Sequence, residues 1–139
     1  MPPQYRRFAP LLLIGLLFLI VLPLLRRSHT SGLSNADRAT ATKAALGAID
    51  RGELGYRAAH GRFTSHLADL VTGDKKLAGD LALGLAVELD VGSDGNSYLV
   101  QVQSSVLSLV RARTGSRITA DSCQVVKKGS GIDCLPLAA

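Results

Sequence analysis

The sequence predicts an α+β fold: an N-terminal transmembrane helix, then an amphipathic helix packed on a small antiparallel β-meander. Three observations predict it. An uncharged apolar run fills residues 8–25. A helical stripe of small and apolar residues follows over 36–60. From residue 81 the apolar period changes from 3.6 to 2. These features divide the 139 residues into a membrane anchor with flanking arginines at 1–27, a linker at 28–35 and an α+β domain at 36–139.

The run "FAPLLLIGLLFLIVLPLL" carries no charge and no polar side chain. As a helix its 18 residues span roughly 27 Å, close to a hydrocarbon core of about 30 Å. A lone span must satisfy its backbone internally and is therefore helical. Arg6 and Arg7 flank it on one side, Arg26 and Arg27 on the other. A cleavable signal peptide is the rival reading, with an Arg-Arg n-region and an apolar h-region. The length of the run and the Arg-Arg pair directly after it favour an uncleaved anchor, whose first partner is membrane lipid. The two arginine pairs leave the positive-inside rule nearly balanced.

The linker "RRSHTSGLSN" is polar. Ser34, with Asp37 three residues on, approximates a capping box and starts a helix over 36–60. Its stripe reads Ala41, Ala45, Ala48, Ile49, Gly52, Tyr56 and Ala59, with Leu46 alongside. Gly61 is placed to end it in the left-handed conformation. Residues 62–80 read as a loop anchored by Phe63, Leu67 and Leu70, in which the Leu67–Leu70 spacing allows one short helical turn.

"LALGLAVELDV" puts Leu81, Leu83, Leu85, Val87, Leu89 and Val91 on one strand face. Asp94-Gly95 centres a hairpin turn. "YLVQVQ" sets Tyr98, Val100 and Val102 opposite Leu99, Gln101 and Gln103. "VLSLVRA", a turn at 114–116 and "RITADSCQVV" complete about four strands. The helix is the element able to cover the apolar face, which predicts a core of Leu46, Ile49, Tyr56, Phe63, Val100 and Val102.

The net charge of +5 suggests nucleic acid at first sight. Its placement argues otherwise. Setting aside the four membrane-flanking arginines leaves 12 of the 16 basic residues against 11 acidic ones, all beyond Arg27. No basic stripe with interleaved aromatics exists, so no nucleic-acid partner is expected. Aromatics are 4% of the chain and Trp is absent, so the core must be aliphatic.

The two cysteines, Cys123 and Cys134, lie near the C-terminus with no neighbouring His and no C-x-x-C spacing. That leaves two free thiols or one disulfide. A Gly-bearing connection that can turn back, together with the export signal, predicts the disulfide. The bond would place the C-terminal domain outside the cytoplasm.

Catalytic patterns are missing. His60 and His66 straddle a helix end at a spacing unsuited to a helical metal pair. Asp90, Asp94 and Asn96 suit a hairpin better than a calcium loop. No G-x-S-x-G or phosphate-binding loop is present. The sequence therefore predicts a non-enzyme with no metal and no cofactor.

Tyr56, then "HGRFTS" at 60–65, then Leu67 and Leu70 resemble the helix ending of type IV pilins and type II secretion pseudopilins. "SDGNSYLVQVQ" and "ARTGSRITADSC" resemble that family's hairpin and a late strand. The resemblance implies a membrane helix leading into an amphipathic helix, an antiparallel meander packed on it and often a C-terminal disulfide. It implies a single-pass structural or assembly protein of the bacterial cytoplasmic membrane, non-catalytic, whose partners are other pilin-like subunits or envelope proteins. Two features depart from the family. Arg7 precedes Phe8 where the prepilin peptidase site has Gly, and Leu12 stands where it has Glu. The polar linker at 26–35 interrupts a continuous helix. The alternative is an extracytoplasmic protein-binding module on the same scaffold, outside any filament.

Overall fold

The structure, a computed structural model, describes residues 32–129, 131, 132 and 134. The chain divides into two units, Met1–Leu33 and Ser34–Ala139, and every described helix and strand belongs to the second. The predicted membrane segment and its flanking Arg6, Arg7, Arg26 and Arg27 lie outside the described residues. Among the described residues, no helix is long and apolar enough to cross a membrane.

The first helix, α1, runs Asn35–His60. Ser34 caps it reciprocally with Asp37: the Asp37 N–H donates to Ser34 Oγ at 3.1 Å and the Ser34 N–H to Asp37 Oδ2 at 3.2 Å. Gly61 ends it at φ 75°, a left-handed conformation that a side chain would strain. Between these caps it buries Ala41, Ala45, Leu46 and Ile49.

Residues 62–80 are less of a loop than predicted: the helical turn allowed at Leu67–Leu70 forms, and a second helix follows it. They hold two short helices, α2 (Leu67–Val71) and α3 (Lys75–Leu81). Asp74 nucleates α3, its carboxylate accepting from the N–H groups of Lys76 and Leu77 at 3.0 and 2.9 Å. Lys76 and Asp80 pair one turn apart at 2.8 Å. Leu70 and Leu77 are buried, so both short helices are pinned by the core. The predicted strand from 81 is corrected accordingly. Leu81 closes α3, Leu83 is exposed in a turn, and pairing begins only at Ala86.

The strands are β1 (Ala86–Val91), β2 (Ser97–Gln103), β3 (Leu107–Thr114) and β4 (Arg117–Val125). They form one antiparallel sheet in the order β1-β2-β3-β4. Its register sets Leu89 opposite Val100, Val102 opposite Leu109 and Leu109 opposite Cys123. One face therefore carries Val100, Val102, Leu107 and Leu109, all fully buried, and α1 packs across β2 and β3 on that face. Fully burying each such side chain stabilises by about 1.5–3 kcal/mol. Leu46, Ile49, Phe63, Val100 and Val102 belong to one core cluster.

Tyr56 differs from the prediction. It packs against the core cluster but is only half-buried. Phe63 enters from the loop instead and meets Tyr98 edge-on, ring centroids 4.8 Å apart. Tyr56 stacks on His60, with centroids 4.1 Å apart.

Candidate functional cleft and its buried supports

Three polar arrangements join α1 to the rest of the domain. The first grows from the alternation of β3. Leu107 and Leu109 point inward, and the same period turns Arg111 and Arg113 inward too. Beneath them lies Asp50, next to Ile49 on α1. Arg113 grips its carboxylate with two parallel bonds, Nε to Oδ1 at 2.6 Å and Nη2 to Oδ2 at 2.9 Å. Arg111 Nη1 reaches Oδ2 at 3.2 Å. The hydroxyl of Tyr98 donates to Oδ1. On its other side Arg111 holds Asp121 at 3.1 and 2.8 Å. Arg113 Nη1 also donates to the Ser116 carbonyl at 2.6 Å.

Burial resists the charge on Asp50, but Arg113, Tyr98 and Arg111 outweigh it and hold the carboxyl below its ordinary range. Burial and the neighbouring carboxylate push the Tyr98 phenol well above its usual value. Both oxygens of Asp50 are engaged by buried donors, so the arrangement locks the helix to the sheet and presents no reactive group to a ligand.

The second arrangement centres on Glu53, one turn further along α1 and fully buried. Its Oε2 accepts the Thr64 N–H at 3.1 Å, while Oε1 has no partner. Thr64 Oγ1 donates to Asp69 at 2.8 Å and accepts from the His66 N–H at 3.1 Å. Burial, with the Asp69 charge nearby and against the Thr64 bond, pushes the Glu53 carboxyl up to about 7.

Arg57 makes the third. Its Nη2 donates to Asn96 Oδ1 at 3.0 Å and its guanidinium lies 5.4 Å from the centroid of the Phe63 ring. Its Nε is buried without a partner.

These supports hold the 62–66 loop against the hairpin between β1 and β2. The Phe63 N–H donates to the Gly95 carbonyl at 2.9 Å. Gly95 has φ 66°, and a Cβ there would lie 3.0 Å from Arg62 Cβ. Only glycine allows this approach without displacement. Between the two segments opens a cleft of about 460 Å³, rimmed by Tyr56, Arg62, His66, Ser93 and Asp94. Ser65 Oγ and His66 Nδ1 are 3.1 Å apart, but they are exposed neighbours in one loop. No carboxylate among the described residues is bonded to the imidazole as a hydrolytic triad requires. Among the described residues, no group of three or more His, Cys, Asp or Glu is placed to hold a metal ion. The cleft offers hydrogen bonds and a half-buried ring.

At the opposite end of the sequence, Cys123 and Cys134 are joined in a disulfide with Cα atoms 5.6 Å apart. The bond returns the tail to β4, and Ile132 packs on the core.

Sequence reasoning missed Asp50, Glu53, Arg111 and Arg113. The one available signal was the period of β3, which carries the inward positions 107 and 109 on to 111 and 113.

Comparison of the chain with family models, curated proteins and solved structures finds no match.

Proposed function

We propose that the chain is a single-pass, non-catalytic, pilin-like structural or assembly protein of the cell envelope, with its C-terminal domain outside the cytoplasm. One observation carries this reading: a capped helix of 26 residues lies across a four-stranded meander of sequential order, whose last strand is disulfide-linked to the tail. That order of parts is what the resemblance of residues 56–70 to pilins implies. The apolar run at 8–25 supplies the anchor. Its partners are membrane lipid and other pilin-like subunits or envelope proteins.

The test combines membrane fractionation, N-terminal sequencing and crosslinking. The full chain should partition with membranes and keep its first residues. A mature chain beginning near Asp37 or Thr42 overturns the anchor. Arg51 is exposed on α1, and Arg51→Cys, with one free thiol per chain, should give an oxidised dimer if copies pack along this helix. The absence of that dimer, with the anchor retained, favours the second reading, an extracytoplasmic protein-binding module. The missing peptidase signature around Phe8 and the open cleft at the β1–β2 hairpin support that reading.

A further inference from the structure

The sheet has two edges, and they differ. At β4 the disulfide ties Cys134 to the strand, and the β3–β4 ladder is irregular between Ala112 and Arg113. At β1 nothing comparable is found among the described residues.

The ladder fixes which groups face the β1 edge. The Gly92 N–H donates to the Ser97 carbonyl at 2.9 Å. Backbone groups in an antiparallel pair alternate in direction. Ala86, Glu88 and Asp90 therefore turn theirs toward β2, and Val87, Leu89 and Val91 turn theirs outward. Those three N–H and three C=O groups have no protein partner among the described residues. The same three side chains are half-buried on the core side. On the opposite face Glu88 and Asp90 are exposed. They line up with Gln101 and Leu99 on β2, which offer no cation.

The cations placed near the strand, Arg57 beside Asn96 and Arg62 beside Gly95, stand at its hairpin end. Residues 77–110 contain no Lys or Arg. Asp80, the nearest acid before β1, is already paired with Lys76.

We propose that the free edge of β1 accepts an extended segment of a partner protein as a fifth strand, in which Lys or Arg alternates with apolar residues. Backbone pairing would satisfy the outward groups of Val87, Leu89 and Val91. Cations of the incoming strand would stand beside Glu88 and Asp90, and its apolar side chains would cover the half-buried valines and leucine. A second copy fits worse. Pairing β1 with β1 brings like charges together across the new ladder, which is destabilising. Pairing β1 with β4 offers Ala120, Ser122 and Gln124 on the outer face, and one cation, Arg117, at the start of the strand beyond the irregular step at Ala112/Arg113. The proposal rests on the sheet edge alone and is independent of the envelope reading.

The test uses the full chain in uncharged detergent micelles, which do not attract a cationic peptide. The probe is an acetylated, amidated octapeptide of alternating Lys and Val, followed by fluorescence anisotropy. Saturable binding is expected. It should weaken about tenfold or more in Glu88→Lys with Asp90→Lys, both exposed and outside the core. It should vanish when the peptide's alternate backbone nitrogens are methylated, with both alternations tested. A Glu-Val peptide should not bind. Binding that survives methylation of both alternations would be charge attraction without strand pairing and overturns the proposal, as does no binding at all. Self-association of the full chain that Val87→Pro dissociates would assign the edge to a second copy and also overturns it.

Discussion

Glu53 is buried with one carboxylate oxygen unpartnered, an arrangement that favours the neutral acid. Its carboxyl is pushed from an ordinary value of 4.5 up to about 7. The folded state thus holds a proton that the unfolded chain releases between those values. The stability this group contributes is fully present below about pH 4.5 and is lost as pH rises through about 7. Glu53→Gln keeps the shape and removes the charge. At pH 8 the variant should be more stable than the parent by on the order of 2 kcal/mol. At pH 5 the two should converge. Urea unfolding at both pH values checks this, and an equal difference at the two values would contradict it. Asp50, three residues earlier on the same helix, has the opposite sign, because three donors hold its charged form. Its contribution is present above the usual carboxylate range and lost as pH falls below it.

At the scale of elements, α1 and β3 are joined by more than apolar contact. Ile49 supplies the apolar part and Asp50 the polar part, on adjacent residues. Removing Asp50 takes the carboxylate from Arg113, a carboxylate from Arg111, which keeps Asp121, and the acceptor from the Tyr98 hydroxyl. Breaking a buried pair on one side costs about 3–5 kcal/mol. Asp50→Ala should therefore lower the stability of the domain by that amount, read by chemical denaturation. Adding Arg113→Met should recover part of the loss, since the orphaned guanidinium is then gone. A double variant no more stable than the single one would show that the pair does not act as a unit. The two short helices follow a related logic. Each is too short to persist alone, and each contributes one buried leucine, Leu70 or Leu77, to the core.

For the whole molecule, the disulfide and the sheet edges set the boundary conditions. The linkage spans 11 residues, and a loop of this length contributes about 3 kcal/mol on the chain-entropy model. Cys123→Ser with Cys134→Ser should lose stability on that order, measured by the same denaturation. Thiol labelling of the unfolded protein should find no reactive cysteine before reduction and two after it. Two labelled thiols before reduction would reject the bond and the outward orientation of the domain together.

What could be read from the sequence was local. Ser34 and Asp37 cap their own helix within one turn, and Gly61 ends it through its own φ. Tyr98, Val100 and Val102 share a face because a strand repeats every two residues. The α+β class, the meander and the cysteine pairing follow from such short-range rules. Tertiary structure alone decided the rest. Asp50 meets Arg111 and Arg113 across 61 and 63 residues, and no local pattern announces that a helix acid will face two inward strand arginines. Glu53 is buried because the 62–66 loop folds over it. Tyr56 is only half-buried and stacks on His60, while Phe63, arriving from that loop, is the ring that meets Tyr98. The stretch at 81–85 reads as strand by period, yet Asp74 and the burial of Leu77 carry the helix through Leu81 and delay pairing to Ala86. Periodicity states which residues are able to share a face, while the partner across the core determines whether that face is used.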